Sequence, residues 1–187
     1  MPPLTEPTDQ QLMGRVQRGD LAALDVVFAR HHGTIYGYLS RWLGDPSAAE
    51  DLTQETFLRV LRQNGKAPTH DDLLPWLLKI ARNLVIDRYR HERSRLTVDD
   101  HAELCDPGPI PLEQLTTAER EQQLSDALAA IAPAHREVLL LRAVDDLDYR
   151  NVALLIGCTE GAARVRVHRA TAALRNAWFS KFGGRDD

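Results

Sequence analysis

The sequence predicts an all-α protein of two small helical domains joined by a flexible acidic linker, the second domain containing a helix-turn-helix. Three observations carry this. Apolar residues recur at spacings of three and four almost throughout, and strand alternation is nearly absent. One stretch, residues 94–116, loses that periodicity and holds three prolines, one glycine, five acids and one base. After it, two helical patterns are separated by the short Gly-containing turn Gly157–Thr159.

The elements follow in order. Asp9–Arg18 reads as a short helix broken near Gly19. Asp20 is an N-cap for LAALDVVFARHH. A separate pattern, TIYGYLSRWLG, follows and stops at Gly44. Asp45 as cap and Pro46 at the first helical position open DPSAAEDLTQETFLRVLRQ. The turn-rich NGKAPTHDD separates it from a helix that starts at Pro75. Beyond the linker come TAEREQQLSDALAAIA, ending at Pro133, then HREVLLLRAV, ending near Asp145–Asp146. DYRNVALLI, the turn GCT and EGAARVRVHRATAALRNAWF complete the chain's helical patterns.

Charge is segregated. The chain carries 27 Asp+Glu against 23 Lys+Arg, a net charge of −4. Yet residues 76–95 hold six bases (Lys79, Arg82, Arg88, Arg90, Arg93, Arg95) against two acids, Asp87 and Glu92. On a helical wheel Lys79, Asn83, Ile86, Arg90 and Arg93 form one stripe with Arg82 beside it. Trp76, Leu77, Ile80, Ala81, Leu84 and Val85 cover the other side. Cationic donors suit phosphates, and the Asn83 amide suits a base edge, although a solvated charged face fits the same stripe.

The last helix shows a second strip. Ala163, Val167, Ala170 and Leu174 recur at spacings of four, three and four, which makes one buried face. Glu160, Gly161, Arg164, Val165 and His168 lie opposite, with Arg166 and Arg169 on the flanks. A major groove admits one such helix, its N-terminal side chains on base edges and others on phosphates. In DLTQETFLRVLR, Leu52, Thr53, Thr56, Phe57, Val60 and Leu61 form an inward arc. Asp51, Gln54, Glu55, Arg59 and Arg62 point outward around Leu58, as on a protein-docking face.

Several classes find no support. No apolar run approaches the roughly 20 residues that span a bilayer. MPPLTEPTDQQL has neither the basic start nor the apolar stretch of a signal peptide, so a soluble cytoplasmic protein is expected. Cys105 and Cys158 make neither a disulfide framework nor a metal quartet, and both read as ordinary thiols. The sequence contains no HExxH, P-loop, Gly-x-Ser-x-Gly or dinucleotide fingerprint. No catalytic residue, metal or cofactor is therefore expected. His31–His32 reads as a surface or capping pair at a helix end.

Four segments in this order resemble one family. They are DLTQETFLRV (51–60), PWLLKIARNLVIDRYRHERSR (75–95), REVLLLR (136–142) and YRNVALLIGCTEGAARVRVHRATAALR (149–175). Together they resemble the group IV, or extracytoplasmic-function (ECF), sigma factors of bacterial RNA polymerase. The resemblance implies a region-2 domain at 8–93, a linker at 94–116 and a region-4 domain at 117–180. It implies docking on the polymerase β′ coiled coil through Asp51, Gln54, Glu55 and Leu58. Recognition and melting of the promoter −10 element would fall to Lys79, Arg82, Asn83 and Arg90. Lys66, Thr69 and His70 lie in a loop similar in position to one that captures a flipped base. The −35 element would meet the helix-turn-helix from Tyr149 to His168, through Glu160, Arg164, Val165, Arg166, His168 and Arg169. Core RNA polymerase, including its β subunit, promoter DNA and an anti-sigma factor are the implied partners, with no membrane insertion of this chain.

The sequence departs from the family where GAARVR (161–166) replaces the usual GTVKSR. Ala162 removes a hydroxyl available to a phosphate, and Val165 replaces a polar contact with one suited to a thymine methyl. The competing expectation is a dimeric helix-turn-helix regulator without sigma activity, which would need a self-complementary interface.

Overall fold

The computed structural model describes residues 6–62, 73–93 (side chains to Tyr89), 116–144 and 147–183. Its described elements are eight α-helices, and the chain divides into two compact units, 1–96 and 97–187.

The first unit holds α1 (Asp9–Val16), α2 (Leu21–Leu43), α3 (Pro46–Arg62) and α4 (Leu73–Arg93). Local chemistry sets their ends. Thr8 and Gln11 form a reciprocal capping box on α1. The Asp20 carboxylate accepts from the Ala23 N–H at the start of α2, and Gly44 closes that helix at φ 65°. Asp45 accepts from the N–H groups of Ser47 and Ala48 at the start of α3. Arg15 hydrogen-bonds Asp20 and holds its carboxyl below the ordinary range.

Several helix boundaries differ from the sequence expectation, and two of the differences are set by burial. The patterns on either side of Gly33 are one continuous helix, α2. Its buried row runs Ala23, Val27, His31, Ile35, Tyr38, Leu39 and Trp42 straight through the glycine. Packing along that row outweighs the roughly 1 kcal/mol helix cost of one glycine. The α4 helix starts at Leu73 rather than Pro75, because Leu73 is itself buried. Pro75 then sits in the first turn, where its missing N–H has no intrahelical partner to lose.

The histidine pair also takes another role. His31 lies in the middle of α2, only 8% exposed, with Nε2 2.7 Å from the Asp9 carboxylate. Arg30 pairs with the other Asp9 oxygen and donates to the Pro7 carbonyl. One carboxylate thus fastens α1 onto α2 through two consecutive residues. His32 turns the other way, 3.7 Å from Glu50 of α3.

Leu12 of α1, Val27, Ile35 and Leu39 of α2, and Leu77, Leu78, Ala81 and Val85 of α4 are all buried in the core. Trp76 is half-buried rather than central. Thr53 and Thr56 face inward because each hydroxyl donates to the carbonyl one turn back, Ala49 and Leu52, both at 2.7 Å.

The second unit holds α5 (Thr117–Ala130), α6 (Pro133–Arg142), α7 (Tyr149–Ile156) and α8 (Glu160–Phe182). The long α8 packs against the other three. Thr116 and Glu119 form a capping box on α5, and the Thr116 hydrogen bonds hold Glu119 below its ordinary pKa. Lys181 and Gln122 do the same for Asp126, tying α8 to α5 at 2.7 Å.

Arg136 closes the α5–α6 corner. Its guanidinium donates to the Leu128 and Ala129 carbonyls, each at 2.7 Å, at a helix end where carbonyls lack intrahelical partners. Arg136→Ala is expected to cost about 1–2 kcal/mol. For a unit of this size that is a fall in melting temperature of about 4–15 °C, read by circular dichroism.

Candidate functional site

Three helix faces bear the sequence-predicted residues. On α3, Asp51 and Gln54 are exposed and Leu58 is 44% exposed. Glu55 is half-buried, and one of its oxygens accepts from Arg59 at 3.2 Å and Arg62 at 3.1 Å. Its charge is therefore largely balanced within its own helix, leaving Asp51, Gln54 and Leu58 as the open part of the face. Gln54 donates to Glu50 at 3.3 Å.

An aromatic neighbour adjoins this face. The Phe28 ring of α2 lies 4.8 Å from that of Phe57, the buried residue beside Leu58, and 4.7 Å from the His32 ring. Phe28 is itself 37% exposed. The sequence reading did not single it out, because a Phe on an amphipathic helix signals core and carries no mark of its partner on α3.

On α4, Lys79 and Asn83 are exposed, and Arg82 and Ile86 are half-buried. Leu77, Leu78, Ala81 and Val85 are buried on the opposite side. The backbone at Arg90 is helical. The Arg90 side chain, and Lys66, Thr69 and His70, lie outside the described residues.

The α7–α8 pair has the geometry of a helix-turn-helix. Gly157 ends α7 in the left-handed region at φ 68°, and its N–H donates to the Ala153 carbonyl. The Cys158 N–H donates to the same carbonyl. Asp148 caps α7, accepting from the Asn151 N–H at 2.7 Å. Thr159 caps α8, accepting from the Ala162 N–H at 3.2 Å. The turn between Ile156 and Glu160 is thus built entirely from a glycine C-cap and a threonine N-cap.

Within α8, Ala163 and Ala170 are fully buried, and Val167 and Leu174 are half-buried. Glu160, Gly161, Arg164, Val165, Arg166, His168 and Arg169 are all exposed. The small alanines let α8 sit close on its neighbours while the long cations stay exposed. Arg164 donates to Glu160 at 2.7 Å, one turn back.

Among the described residues no cluster of His, Cys, Asp or Glu could hold a metal ion. No described helix is long and apolar enough to cross a membrane.

Comparison with known proteins identifies the family. The Sigma-70 region 2 family model matches residues 27–95, and the Sigma-70, region 4 model matches residues 112–174. The RNA polymerase sigma factor CarQ of Myxococcus xanthus is 34% identical over 163 residues, 87% of this chain and 93% of that one. The ECF RNA polymerase sigma factor SigE of Mycolicibacterium smegmatis is 32% identical over 182 residues, 93% of this chain and 69% of that one. The sigma factor RpoE, solved in complex with the anti-sigma factor NepR from Bartonella quintana, superposes with a TM-score of 0.63. That likeness covers 87% of this chain and 98% of that one at 19% identity, and is one of fold. Two sigma regions in sequence order, each on its own compact helical unit, and relatives matched along most of their length have one reading: the chain belongs to the extracytoplasmic-function (ECF) sigma factors of RNA polymerase.

Proposed function

We propose that residues 8–93 form the domain that docks on core polymerase and opens the −10 element. Residues 117–180 form the domain that reads the −35 element, and 94–116 thread between them. Asp51, Gln54, Glu55 and Leu58 meet the β′ coiled coil, with Leu58 as the apolar centre of a polar ring. Lys79, Arg82, Asn83 and Arg90 engage the −10 strand, with Lys66, Thr69 and His70 at the flipped base. Glu160, Arg164, Val165, Arg166, His168 and Arg169 enter the −35 major groove. The chain works in the cytoplasm, without catalytic chemistry of its own. An anti-sigma factor holds it inactive until released, as the complex of the similarly folded RpoE supports.

The observation that carries this reading is the division of faces on α8: alanines inward, an unbroken exposed row of Arg164, Val165, His168 and their basic flanks outward. The acidity of the whole chain fits it as well. A handful of phosphate contacts supports only modest, salt-sensitive affinity. Carried by one polymerase, the two faces act at high effective concentration on the same duplex.

The test is promoter binding by fluorescence anisotropy with and without core polymerase. Weak binding by the free chain and tight, sequence-specific binding with core enzyme are expected. Tight specific binding by the free chain, as a dimer, would instead establish an autonomous helix-turn-helix regulator.

A further inference from the structure

Tyr149, the first residue of α7, is half-buried rather than core, and two guanidiniums lie against its ring. The Arg164 Cζ of α8 is 4.4 Å from the ring centroid, and the Arg142 Cζ, at the last residue of α6, is 5.1 Å away. Tyr149, Arg164, His168, Arg169 and Arg175 line a cleft of about 400 Å³. One aromatic ring thus links three helices at the place where α8 presents its cations.

Arg164 has two holders, and they differ in kind. Glu160 takes up one donor edge of the guanidinium at 2.7 Å. A base edge or phosphate must exchange with that carboxylate to be bound. The Tyr149 ring instead holds the guanidinium over its π face, a contact that involves no hydrogen-bond acceptor. A long, flexible side chain normally loses rotamer freedom when it binds. One already held over a ring has lost much of it beforehand.

We propose that Tyr149 is a positioning residue for base recognition by Arg164: its ring orients the guanidinium plane before DNA arrives and keeps it oriented once Glu160 gives way to a nucleic-acid acceptor. The proposal rests on the reading of α8 as the DNA-reading helix. Tyr149 acts through Arg164 and needs no DNA contact of its own.

The experiment uses the full chain with core RNA polymerase on a duplex library randomised over the upstream promoter element. Four variants are compared: Tyr149→Leu, Tyr149→Phe, Arg164→Ala and the Tyr149→Leu/Arg164→Ala double. Arg164→Ala flattens the preference at one or two base pairs by about five- to tenfold or more. Tyr149→Leu flattens the same base pairs by about two- to fivefold, the strength of one exposed cation–π contact. Tyr149→Phe keeps the wild-type preference, and the double variant is no worse than Arg164→Ala alone.

The proposal is overturned if Tyr149→Leu leaves the preference intact or weakens every base pair equally. It is also overturned if the Tyr149→Leu loss adds in full to that of Arg164→Ala, or if Tyr149→Phe loses as much as Tyr149→Leu. In those cases Arg164→Ala still shows its own effect, so α8 remains the reading helix. A wild-type preference in Arg164→Ala removes both the reading and the positioning role.

Discussion

Leu58→Asp abolishes run-off transcription while the protein stays folded. Leu58 is 44% exposed on α3, between the exposed Asp51 and Gln54. Its removal takes little from the first unit's own core, which is built from Phe57, Val60 and the fully buried residues of α2 and α4. At the proposed polymerase interface the same residue would be a central apolar anchor inside a polar rim. Truncating such an anchor costs 2 kcal/mol or more, about thirtyfold in affinity, and a carboxylate placed there adds a desolvation penalty. Co-elution with core polymerase is therefore lost and transcription falls with it, while the melting temperature stays near wild type. Wild-type co-elution of Leu58→Asp would remove this face from the docking surface. Glu55 behaves differently from its neighbours. Because Arg59 and Arg62 already pair with it, Glu55→Gln weakens docking less than Leu58→Asp.

The second large effect is on stability. Leu141 of α6 is fully buried in the second unit, where α6 packs on α8 and α7. Leu141→Ala removes the transfer energy of the lost methyl groups and leaves a cavity, together about 2–5 kcal/mol. A unit of this size has only about 4–10 kcal/mol in total. The variant melts far below wild type by circular dichroism, and promoter-specific transcription fails at growth temperature because α7 and α8 lose their mutual geometry. Leu139, two residues earlier and half-buried, provides the comparison. Leu139→Ala costs clearly less. If the two variants melt together, the buried face of α6 has been misassigned.

The local features of this protein were legible from its residues. Asp20, Asp45 and Gly44 mark helix ends by chemistry that acts within three or four residues. The turn Gly157–Thr159 and the split faces of α8 follow from a left-handed glycine and a 3.6-residue period. On α4, the buried row Leu77, Ala81 and Val85 and the exposed Lys79 and Asn83 are the same inference applied once more. What failed were boundaries set by context. Gly33 and Thr34 look like a break, and Pro75 looks like a start, until the residues around them are seen to be buried.

By itself, then, the sequence determined helix type, most of the caps, the turn and which way each amphipathic face points, since these depend on neighbours along the chain. Only the tertiary structure decided that His31 closes on Asp9 across 22 residues. It alone set Lys181 on Asp126, 55 residues apart. It alone laid the guanidiniums of two helices against the ring of Tyr149. Such pairings depend on where separate helices meet in space, and a charged or aromatic side chain carries no sign of which distant partner packing will bring to it.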